Sequence, residues 1–128
     1  MKIEVPIGEV VDKLTILEIK TEKFTNKEKL KNVKKEYTVL KNAMEQAGIS
    51  TDSDECRKLK EINLRLWHIE DDIRKEEAGQ NFGEKFIQLA RSVYFENDKR
   101  AALKKEINLK YGSDFIEEKE YINYKTKK

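Results

Sequence analysis

The chain contains one cysteine, one histidine and one proline among its 128 residues. A lone Cys56 cannot form an internal disulfide, and with His68 as its only soft companion it supplies too few ligands for a zinc or iron–sulfur site. No stretch approaches the roughly 18 consecutive apolar residues of a membrane span, and no apolar run of signal length stands near the N-terminus. The expectation is a cytoplasmic protein with no membrane partner, no cofactor and no resident metal. Charge of one sign is scarce as well: 27 Lys plus Arg oppose 25 Asp plus Glu, so a chain that is 41% charged has a net charge of only +2. Nucleic acid wants a basic stripe, and it is therefore not an expected partner. The one lopsided segment, Tyr124–Lys128, reads as a frayed tail rather than a phosphate-binding arm. A glycine-rich phosphate loop and the local signature of a serine or cysteine nucleophile are also missing.

What is present is helix. The charges alternate in sign along the chain, as they do on the solvated faces of long helices. At this length a single helical domain spanning 1–128 is expected, with enough material for a real core. Glycines fall between amphipathic runs, and four acids follow a capping residue at a spacing of three: Thr25 before Glu28, Asp52 before Glu55, Asn81 before Glu84 and Asp114 before Glu117. The pattern predicts helices near 8–24, 26–47, 52–78 and 82–111 and a short fifth near 114–124, after a short extended N-terminus. The fold class is all-α, an antiparallel bundle of four main helices plus the short C-terminal one. Leu30, Val33, Tyr37, Leu40 and Met44 on the second helix and Leu59, Ile62, Leu66, Ile69 and Ile73 on the third form one-sided stripes. These two helices are expected to pair as a coiled-coil-like hairpin across the Gly48–Thr51 turn.

The first helix differs. Val10, Leu14, Leu17, Thr21 and Phe24 make one apolar stripe, and Ile16 and Ile19 occupy the other side. A helix apolar on two sides belongs between two neighbours, and the second neighbour is expected to be another copy of the chain, with Leu64 adding to the same surface. Glu18, beside Val11 and Leu14, then needs a partner.

On the fourth helix the stripe Phe82, Phe86, Leu89, Ala90, Val93 turns polar at Asn97, Arg100 and Lys104. A break at Phe95–Asp98, capped by Asn97 or Asp98, explains that change and is the favoured expectation. The competing arrangement is an unbroken helix that carries Asn97 and Arg100 into an interhelical pocket, with Glu18 or Glu70 opposite the guanidinium. Glu70, Asp71 and Asp72 beside Arg74 read as a solvated face before they read as metal ligands. Trp67 reads as a packing residue and His68 as a surface one.

The stretches Pro6–Lys20, Leu66–Arg74 and Leu89–Tyr94, with Asn97-Asp98, Arg100-Ala101 and Ile107-Asn108, resemble a family of small bacterial and phage proteins of unknown function over nearly the full length. The resemblance implies no established activity. Glu9, Asp12, Lys13, Thr15, Glu18, Glu70, Arg91, Asn97, Asp98 and Arg100 match its pattern and are too polar for core packing alone. A more distant analogy is to the helix-rich chorismate mutases, whose first helix carries an arginine where this chain offers only Lys13.

Two readings stand. One is a cytosolic accessory or binding protein acting through helix-mediated association, as a homodimer. The other is a small enzyme or sensor that binds an anionic, phosphorylated or carboxylated metabolite at Lys13, Glu18, Glu70, Asn97 and Arg100. A metal-dependent nucleotide pyrophosphohydrolase is the weaker form of the second, and whether the protein is an enzyme stays open.

Overall fold

The computed structural model describes residues 1–125, and the last three residues of the lysine-rich tail lie outside them. It is all-helical: α1 (Ile7–Lys23), α2 (Lys27–Gln46), α3 (Asp54–Ala78) and α4 (Glu84–Lys110), with no strand among the described residues. Each helix starts and stops within two residues of its expected place. The caps sit slightly inward of the expected ones. Asn26, not Thr25, accepts the Lys29 N–H at 3.0 Å, and Ser53, not Asp52, accepts the Cys56 N–H at 3.3 Å. Gly83 opens α4 with no side-chain cap. At the end of α2, Ile49 donates its N–H to the Met44 carbonyl at 2.9 Å, the six-to-one bond of a Schellman turn. Both side chains enter the core, so the turn and the core stabilise each other.

α1 is the central element. It packs against α2, α3 and α4, α3 packs along α4, and α2 lies along α1 alone. The α2–α3 hairpin is therefore not formed. α1 has apolar groups on two sides, so it takes the one-sided stripe of α2 on one and the α3–α4 pair on the other. Ile19 is 0% exposed and Ile16 half-buried within the single chain, so the two apolar sides of α1 need no second copy to cover them. The core joins Val11 and Leu14 with Met44, Ile49, Cys56, Leu59, Ile62, Leu103 and Ile107. It lies where α1, the end of α2, the start of α3 and the end of α4 meet.

Two further expectations are corrected. α4 runs unbroken through Phe95–Asp98. Asn97, Arg100, Lys104 and Asn108 repeat at helical spacing, and three of them meet polar groups on α1, so the change from apolar to polar follows a change of neighbour and needs no kink. The fifth helix is absent: Asp114–Asn123 has no regular structure. Glu117, which would complete the capping box after Asp114, reaches Lys104 at 3.3 Å, and Glu118 reaches Lys105 at 3.2 Å. Tertiary ion pairs hold this segment along α4 in place of a helical turn.

Candidate functional site

α1 and α4 meet through polar chemistry. The first N–H groups of a helix have no partner inside it, and Pro6 offers α1 no side-chain cap. The other end of the molecule supplies the acceptors. Ser113 Oγ accepts from Ile7 N–H at 3.0 Å, and Asn108 Oδ1 accepts from Gly8 N–H at 2.6 Å. Gly112, at φ +65°, turns the chain so that Ser113 can do this. The approach is close enough that a Cβ on Gly8 would stand 2.5 Å from the Lys104 carbonyl oxygen. Only glycine allows that contact.

One turn further along α1, Asp12 is 1% exposed and accepts three hydrogen bonds. Arg100 gives two of them, Nε to Oδ1 at 2.9 Å and Nη2 to Oδ2 at 2.5 Å, and Asn63 Nδ2 gives the third to Oδ1 at 2.9 Å. Asn63 also reaches Thr15 Oγ1 at 2.9 Å, and Thr15 donates to the Asp12 carbonyl at 2.7 Å. A buried carboxylate demands this degree of satisfaction. The Asp12 hydrogen bonds hold the Arg100 guanidinium above its ordinary pKa against the opposing effect of burial. Burial would lower Lys104 as well, but the Glu9 hydrogen bond and the surrounding carboxylates outweigh it and leave its pKa raised.

The five residues expected to share a pocket separate into two groups. Glu70, Asn97 and Arg100 line one cleft of about 500 Å³ between α1, α3 and α4, together with Ile16, Asn63 and Trp67. Lys13 and Glu18 do not line it. Lys13 is exposed and pairs with Glu36 of α2 at 2.7 Å. Glu18 lies 4.0 Å from Lys60, where burial raises its carboxyl above the ordinary value against the pull of that cation. Arg100 takes neither of its expected partners, since Glu70 is bound to Arg74 of the next turn at 3.2 Å. Asp12 and Asn63 were not among the expected site residues. Asp12 matched the family pattern, whereas Asn63 is marked only by a polar residue adjoining the Leu59–Ile62–Leu66 stripe.

Arg100 and Asn97 also border a larger hollow of about 1060 Å³ between α4 and residues 119–125. Tyr124 closes its end, packed edge-on against Tyr94 and Phe95 with its hydroxyl on Asp98. Cys56 is buried, and burial pushes its thiol up to about 11, far from a nucleophile's range. Among the described residues no three His, Cys, Asp or Glu side chains gather closely enough to hold a metal ion, and no helix is long and apolar enough to cross a membrane.

Fold and site define a small all-helical protein in which a buried carboxylate is paired with a half-buried guanidinium. The chain belongs to a family of unknown function (DUF6165), which matches residues 1–126. No curated protein and no solved structure is similar to it.

Proposed function

We propose that the protein is a cytoplasmic accessory protein that works as a homodimer, joined through the outer part of the α3–α4 hairpin. The observation that carries this is an uncovered apolar seam. From Leu64 to Ala102 no residue is buried, although Ile69 and Ile73 of α3 and Phe86 and Leu89 of α4 repeat at core spacing. Phe82 and Ile87 are exposed at the tip. Among the described residues these parts of the two helices have each other and no third layer.

The surface area supports the same reading. The chain exposes 9300 Å², whereas a compact monomer of 15.1 kDa exposes about 7100 Å², an excess of about 2200 Å² shared between the seam and the extended terminal segments, where Met1, Ile3, Tyr121 and Ile122 are highly exposed. Stable homodimers cover on the order of 1000–2500 Å² on each subunit. Two hairpin seams laid face to face make a four-helix bundle and cover an area of this size. A second copy is favoured over a foreign partner because the seam's flanks carry both signs, with Asp71, Asp72 and Glu77 on α3 and Lys85 and Arg91 on α4, and so suit a self-complementary contact.

Sedimentation or light scattering tests this. Wild type is expected to be dimeric at micromolar concentration, and Ile73→Asp with Phe86→Asp to be monomeric with unchanged helix content by circular dichroism. A wild type that stays monomeric at millimolar concentration overturns the proposal.

A further inference from the structure

Asp12 holds two side chains at the inner end of the 500 Å³ cleft, and each has hydrogen-bonding capacity left over. Arg100 has five N–H groups and gives Asp12 the pair on its Nε–Nη2 edge. Its Nη1 has no partner among the described residues, so the terminal Nη1–Nη2 edge is unfilled. The side chain is 28% exposed and borders the cleft. Asn63, 5% exposed, spends its amide nitrogen on Asp12 and Thr15, and its carbonyl oxygen has no protein partner among the described residues. Asn97 stands one turn before Arg100 on the same wall. Ile16, Ile19, Leu66, Val93 and Trp67 give the cleft an apolar wall, and the charged Glu70, Asp71 and Arg74 complete the lining. An open cleft of this size, with a partly apolar wall and a few fixed polar groups, has room for a small molecule.

We infer that this cleft binds a small monocarboxylic acid with an apolar or aromatic body, the carboxylate on the free edge of Arg100 and the body against Trp67. The two parallel N–H groups of a guanidinium edge match the two oxygens of a carboxylate. Asp12 fixes that edge in place before the ligand arrives, so little conformational freedom is lost on binding. Charge favours a single negative charge. Asp12 neutralises Arg100 and Arg74 pairs with Glu70, so the uncompensated charge on the lining is that of Asp71, and a phosphate dianion meets more repulsion there than a monoanion does. The body must be apolar because most of the wall offers it no hydrogen bond. The cleft is lined by residues of one chain, and Ile69, Ile73, Phe86 and Leu89 of the proposed dimer seam are not among them, although Leu66 and Asp71 lie where the cleft and the seam adjoin.

Trp67 is the only tryptophan, so its fluorescence reports on this cleft directly. Titration with benzoate is expected to change the Trp67 emission saturably and to raise the melting temperature. Benzamide, the neutral counterpart, and inorganic phosphate should each bind at least about tenfold more weakly, the factor that one lost charge-assisted contact produces. Arg100→Lys keeps a cation for Asp12 but has no second edge, and should weaken benzoate by a similar factor. Val93→Phe fills the cleft without touching the polar network and should abolish the response. Because Arg100→Lys also removes one of the two hydrogen bonds to the buried Asp12, Asn97→Asp serves as a second electrostatic variant: the exposed position tolerates it, and the added carboxylate should weaken benzoate but not benzamide. No saturable response to benzoate overturns the inference. So does equal binding of benzamide or phosphate, or a response that survives Val93→Phe.

Discussion

The two ends of the α3–α4 hairpin are made of similar residues and live in different surroundings. At the base, Cys56, Leu59, Ile62, Leu103 and Ile107 are buried because α1 lies across them. Towards the tip, Leu66, Ile69, Ile73, Phe86 and Leu89 keep the same spacing but stay half-exposed, because α1 ends at Lys23 and no other helix among the described residues continues its layer. The polar residues differ in the same way. At the base, Asp12, Asn63, Lys104 and Asn108 are desolvated and satisfied by partners from other helices, while at the tip Glu70–Arg74 is a solvated pair within one helix. The comparison teaches that periodicity creates a seam, and only a third layer turns a seam into a core. It also separates interactions that determine stability from those that salt and water screen.

The largest expected effect falls at the base. Arg100→Met strands the Asp12 carboxylate with Asn63 as its remaining side-chain donor, and should cost about 3–5 kcal/mol in urea unfolding. Adding Asp12→Leu to that variant should restore most of the loss, since no charge is then left buried. A single variant that costs less than a surface substitution would mean the base is as hydrated as the tip.

Gly8→Ala is next. Its Cβ would press on the Lys104 carbonyl, a backbone atom that cannot swing aside, so α1 must withdraw from α4 and loosen the Asn108 and Ser113 caps. A loss of about 1–3 kcal/mol is expected in thermal or urea unfolding. A neutral result would show that the two helices are not in such close contact.

The smallest effect concerns Glu96, which takes Arg65 of α3 at 2.8 Å midway along the hairpin. Burial alone would raise its carboxyl, but the hydrogen bonds from Arg65 and Lys99 outweigh it and hold it below the ordinary value. A carboxyl lowered in the folded state adds stability above its unfolded pKa and loses it as pH falls through the folded one. Glu96→Gln should therefore be slightly less stable than wild type at neutral pH and equal to it in acid, below that window, in melting temperatures measured across the range. A difference that persists in acid would show that Glu96 acts through packing rather than charge.

Much of the architecture was legible because it is local. Four apolar stripes at 3.6-residue spacing, interrupted at Gly48 and near Gly79, place the helices to within two residues. The capping signals served less well at Asp114, where the acid that would close the box is drawn to Lys104 on another helix. Within the site, Arg100 was recognisable as a cation on an otherwise apolar stripe that had to be paired or held open. Its partner was not recognisable, since Glu18, Glu70 and Asp12 are equally acidic on paper and differ only in which face of α1 or α3 meets α4.

The four main helices, the doubly apolar first of them and the polar interruption in the fourth were set by local sequence, which also pointed to a short fifth helix that does not form. Those properties depend on neighbours three and four residues apart. The tertiary structure alone decided that α2 lies on α1 rather than α3, that α4 continues unbroken, and that Asp12 rather than Glu18 or Glu70 receives Arg100. Each of these turns on which groups lose water together, and desolvation is set by residues about 90 positions apart, as Asp12 and Arg100 are, with a sequence separation of 88.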